Sequence, residues 1–172
     1  MALALTLLSI LTLVGFTLSA WSGWLLSHAG PGGASAARHI AVAVPAVLFS
    51  LFTQSMVLFF FIGTGKLLKE AAASRPDAAG RDYILSRVRE FKRRTSGLAT
   101  LAPLSALGAG LLGAAAQTGR LPGWVHLVAA LGAIYVHLVA FGSEVVAMAE
   151  TNQLMGEAAT VSPPSPEASP PA

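Results

Sequence analysis

The chain has no cysteine, which excludes disulfides, thiolate metal sites and cysteine-based catalysis. Charge is almost as scarce. Asp, Glu, Lys and Arg make up 11% of the residues, where a soluble domain carries about 25%. There are only 8 acids, the first of them Glu70. They form neither a paired-carboxylate site nor part of a metalloprotease motif, so hydrolysis and group transfer find no support.

What is abundant is apolar sequence, 54% of the 172 residues, gathered into long uncharged runs with short polar stretches between them. That pattern belongs to a chain whose solvent is lipid. Four runs, at about 3–26, 40–65, 98–117 and 124–148, are each long enough to cross a hydrocarbon core of roughly 30 Å as a helix. The expected fold is all-α: an integral membrane four-helix bundle over residues 1–150. A cleaved signal peptide is the competing reading of the first run, because Ala34-Ser35-Ala36 has the small residues of a cleavage site. The run's length and the lack of a basic residue before it favour a span.

The connections have their own signatures. His28–His39 is rich in Gly and Ala and reads as a loop, and Pro45 predicts a bend early in the second span. Residues 66–96 are expected to form a helical hairpin that extends spans two and three beyond the membrane. Arg75-Pro76-Asp77 breaks it, and Asp77 is placed to cap the next helix. There Ile84, Val88 and Phe91 recur at helical spacing, with Leu85 alongside, so an apolar stripe needs a partner. Residues 151–172 form a tail, Pro- and Ser-rich from Thr160, that is expected to be disordered.

In the third span, Ala102, Ala106, Gly110 and Ala114 follow at four-residue intervals, as do Ser105, Ala109 and Gly113. Small residues at that spacing let helix backbones approach closely in lipid. Nine of the eleven Lys and Arg residues lie from Lys66 to Arg94, which by the positive-inside rule makes that segment cytoplasmic. Four spans then place both termini in the cytoplasm. Trp21, Trp24 and Trp124 fall at the opposite ends of the spans, where an aromatic belt belongs. The composition is compatible with a bacterial inner membrane. The basic surface of Arg87, Arg89, Lys92, Arg93 and Arg94 suits anionic lipid headgroups or a protein partner. The formal charge of +3 gives no nucleic-acid signal, because nearly all the basic residues sit in this one segment.

Polar residues within spans are candidate sites. His39 and His126 come from different spans at similar depth, the arrangement of two axial haem ligands. Their plainer role is that of interfacial histidines. His137 lies eleven residues past His126, about 16 Å along the helix, and Glu144 seven farther, both on nearly the same face. Depth counted from the span ends pairs His137 with Gln54, while Glu144 is within reach of Lys66 or an arginine of the basic segment. His126, His137 and Glu144 also make a stripe on which protons could move. Gly63-Thr64-Gly65-Lys66 is no phosphate loop: the earlier glycine is missing, Leu67 follows, and no strand precedes it.

Two functions are carried forward. One is a structural or accessory subunit docking a membrane or cytoplasmic partner through the basic hairpin. The other is a b-type cytochrome, with His39 and His126 holding haem b and passing electrons to or from quinone. A proton-coupled transporter is weaker, because the chain is small and has no convincing internal repeat.

Overall fold

The computed structural model describes residues 2–29 and 33–160, and everything structural below refers to them. Four helices make up the fold: α1 (Ala2–Ala29), α2 (Gly33–Ala73), α3 (Ala78–Gln117) and α4 (Gly123–Thr160). Each contains a stretch long and apolar enough to cross a membrane. Sequential helices alternate in direction and pack on one another, α4 also packs on α1, and α1 does not touch α3. The cross-section is therefore flattened, with α2 and α4 meeting across its short diagonal.

The surface is apolar and the interior is partly polar, the reverse of a water-soluble bundle. Leu3, Leu48, Phe59, Ile62, Leu111 and Tyr135 are exposed. Ser9, Thr12, Ser50, Thr53, Gln54, His137 and Glu144 are buried. Lipid tolerates the first set, and the hydroxyls of the second bond carbonyls of their own helix or partners on a neighbouring one. Thr12 Oγ donates to the Leu8 carbonyl at 2.9 Å, so the 3.1 Å contact with Thr53 is a bond donated by the Thr53 hydroxyl, tying α1 to α2.

The connections are tighter than the sequence predicts. His28–His39 is not a loop of that length: α1 continues to Ala29 and α2 starts at Gly33, so His39 lies inside a helix. The α2–α3 turn does follow expectation, with Asp77 capping α3 through a 2.7 Å bond from the Gly80 N–H. After α3, Gly119 adopts φ 73°, a left-handed position that costs glycine nothing.

The first part of the expected tail is also corrected. Residues 151–160 continue α4; residues 161–172 lie outside the described structure. Weak helix formers such as Thr151 and Asn152 are overridden here by packing, because Thr151 and Leu154 are buried. What they cover is the stripe predicted to dock a partner. Ile84, Val88 and Phe91 are 2–4% exposed, in one apolar cluster with Leu5, Phe61, Leu68, Met148 and Leu154. The stripe is satisfied within the chain.

Along α3 the buried residues are Ile84, Val88, Phe91, Thr95, Ala99, Ala102, Ala106 and Ala109, each three or four residues from the next. That period is the seam of a left-handed bundle. It selects Ala102 and Ala106 from one predicted small-residue series and Ala109 from the other, while Gly110 and Ala114 face outward. The seam is bulky at the end bearing the basic segment and small toward the end bearing the tryptophans.

Candidate functional site

The polar interior is organised along the α2–α4 diagonal in three levels. At the tryptophan end, His39 and His126 meet as expected, with ring centroids 6.1 Å apart and planes at 68°. In the middle, Ser50 and His137 are hydrogen-bonded at 2.6 Å. Nearer the basic end, Gln54 Nε2 donates to Glu144 Oε2 at 3.4 Å. The predicted His137–Gln54 bond is thus corrected by one helical turn, and Glu144 bonds Gln54 in place of Lys66 or an arginine. Lys66 instead faces Glu70 at 3.8 Å, and Arg87 and Arg94 reach Glu150 at 3.5 and 2.7 Å.

Each histidine of the upper pair is fixed by the neighbouring helix of its own half of the bundle. His126 Nδ1 lies 3.0 Å from the Ala109 carbonyl on α3, which can only accept, so Nδ1 carries the proton. His39 Nδ1 lies 3.0 Å from Ser22 Oγ on α1. The Ser22 hydroxyl already donates to the Ser19 carbonyl at 2.8 Å, so it accepts from His39. In both neutral rings, then, the proton is on Nδ1 and the lone pair on Nε2. A hydrogen-bonded Nδ1–H that leaves Nε2 basic is the usual preparation of a histidine ligand.

Two glycines make room for these rings. A Cβ on Gly23 would lie 3.1 Å from His39 Cε1, and one on Gly113 would lie 2.9 Å from His126 Cε1. Ser22, Gly23 and the Ala109 carbonyl were not singled out from the sequence, because no spacing rule marks a residue that serves a side chain on another helix. Gly113 did appear there, as a packing residue.

The donor set limits what the pair can hold. Zinc in proteins takes three or four protein ligands, and among the described residues no group of three His, Cys, Asp or Glu gathers. Two imidazoles suit a metal whose remaining positions are filled by a macrocycle. The His39 and His126 rings, 6.1 Å apart at 68°, make an edge-to-face contact with each other.

The middle level is closed. His137 Nδ1–H donates to the Ala133 carbonyl at 2.8 Å, so its Nε2 accepts from the Ser50 hydroxyl. Phe16 and Phe141 pack edge-on around the ring at 4.7 and 5.7 Å. This histidine is saturated and shielded, and it holds α2 to α4. The basic residues sit elsewhere: Arg89, Lys92 and Arg93 are exposed on α3, away from the seam. No protein-family model, curated protein or solved structure matches this chain.

Proposed function

We propose that the chain is a small multi-pass protein of the inner membrane in which His39 and His126 are the axial ligands of a haem b, exchanging electrons with quinone. One observation carries this: two half-buried imidazoles from diagonal helices stand beside each other, each with its Nδ1 proton engaged and its Nε2 left as an acceptor. A haem held by His39 and His126 would supply one-electron transfer. The protein's part is to orient the ligands through Ser22 and Ala109 and to hold their depth through Gly23 and Gly113. The proposed orientation puts the basic end in the cytoplasm. It is supported by Lys66–Arg94 at one end of the bundle and by exposed Trp21, Trp24 and Trp124 at the other.

The test is an optical spectrum, oxidised and dithionite-reduced, of protein purified in mild detergent from haem-supplied cells. Soret and alpha bands that disappear in both His39→Ala and His126→Ala are expected. A flat spectrum from folded protein removes the proposal.

A second reading, an accessory subunit, rests on a different observation. With the apolar stripe covered, the α2–α3 extension still presents Arg81, Arg89, Lys92 and Arg93 to its surroundings. A partner on this face would be acidic. It should be retained during purification and lost when Arg89, Lys92 and Arg93 are changed to Glu; a protein that purifies alone from native membranes refutes this reading.

A further inference from the structure

Glu144 and Gln54 lack something. Both are at most 1% exposed, and the amide donates a single long bond to the carboxyl. The second oxygen of each, Glu144 Oε1 and Gln54 Oε1, is buried without a partner. A buried acceptor left bare is costly, and more so if it is charged. Both are acceptors, so what they call for is a hydrogen-bond donor.

No nearby group supplies one. The Thr53 hydroxyl donates to Thr12 and the Thr12 hydroxyl to the Leu8 carbonyl. Ser9 donates to the Leu5 carbonyl, Ser143 to the Ala140 carbonyl and Ser50 to His137. Charged and titratable groups are equally distant or engaged. Residues 2–27 of α1, 40–65 of α2 and 95–117 of α3 contain no Asp, Glu, Lys, Arg or His. On α4 the neighbours are His137, whose two ring nitrogens are both bonded, and Glu150, which is held by Arg87 and Arg94.

From this arrangement we propose that Glu144 and Gln54 form a proton-binding site within the bundle. A carboxyl proton bridges Glu144 Oε1 to Gln54 Oε1, while Gln54 Nε2–H donates to Glu144 Oε2. The closed ring of two hydrogen bonds satisfies both bare oxygens with one bound proton and no net charge. The site is independent of the histidine pair, which lies eighteen residues away along α4, roughly 27 Å. It stands whether or not haem binds there.

Infrared spectroscopy of the full chain in detergent at neutral pH tests it, since water-exposed acids are ionised there and a bridged carboxyl is not. The expected result is a carbonyl band of a hydrogen-bonded carboxylic acid that is lost in Glu144→Gln. The same band should move to the higher frequency of a free acid in Gln54→Leu, with the helical amide band unchanged in both. Replacing sodium by choline should leave it in place. Absence of the band in the parent protein, with Glu144→Gln altering only the carboxylate region, overturns the proposal. A band that appears only when sodium is removed also overturns it, by making a metal cation the occupant.

Discussion

Gly113 is where the structure makes its sharpest demand on a single residue. In Gly113→Ala the new methyl carbon would lie 2.9 Å from His126 Cε1 and 3.1 Å from Nδ1, too close for both atoms to stay. The ring cannot simply swing aside, because Nδ1–H is bound to the Ala109 carbonyl. Overpacking of this kind costs about 1–3 kcal/mol, and losing the hydrogen bond adds about 1 kcal/mol. Alanine recovers up to about 1 kcal/mol of helix propensity, leaving a net destabilisation of about 1–3 kcal/mol. Gly110→Ala, almost one turn away on α3, is the control: its Cβ meets nothing within 4 Å, so only the propensity gain remains. Unfolding in mixed micelles, followed by tryptophan emission, reports on this end of the bundle, where Trp21, Trp24 and Trp124 all lie. The two variants should differ by about 2–4 kcal/mol. In a His126→Ala background the penalty at Gly113 should vanish, because the ring it strikes is gone. Equal stability of Gly113→Ala and Gly110→Ala refutes the reasoning, and so does a penalty that survives removal of the ring.

Two further predictions concern the other levels. Phe91→Ala opens the cluster beneath Phe61, whose ring centroid is 5.7 Å away, at a cost of about 3–5 kcal/mol. Trypsin should then cleave between Arg87 and Arg94 in the variant but not in the parent, and equal cleavage rates count against an internally satisfied stripe. Ser50→Ala leaves His137 Nε2 buried without a donor and should destabilise by about 1–2 kcal/mol. Adding His137→Leu should cost much less than it does alone, since the polar atom to be satisfied is gone; full additivity in unfolding measurements would show that the bond carries no coupling.

The sequence made the spans legible because their lipid-facing sides are apolar, and it made the basic segment legible because charge is so rare elsewhere. His39 and His126 were also paired correctly from depth alone. His137 was not, for a reason of register. Depth counted from apparent span ends leads to Gln54, whereas the parallel helices α2 and α4 keep one separation from the histidine pair to His137 and shift by three residues only at Gln54–Glu144. His39–His126 and Ser50–His137 both span 87 residues. The span ends misled because hydropathy marks where lipid contact starts, while α2 begins seven residues earlier at Gly33. The stripe of Ile84, Val88 and Phe91 was visible as a period, but its cover was not. Met148 closes it from the end of the fourth span, but Leu154 does so from residues 151–160, which read as tail in the sequence and are held as helix by packing.

The gradient along the α3 seam also divides the molecule thermally. Alanine has no rotamers to lose, so Ala99, Ala102, Ala106 and Ala109 pack in lipid at no side-chain entropy cost, and their association draws little on water. Ile84, Val88 and Phe91 pack where water is the competitor, and burial of that kind carries a large heat capacity and weakens on cooling. One continuous helix therefore joins two regions with opposite climates. Cooling is expected to weaken the packing around Ile84, Val88 and Phe91 before it weakens the alanine-lined half.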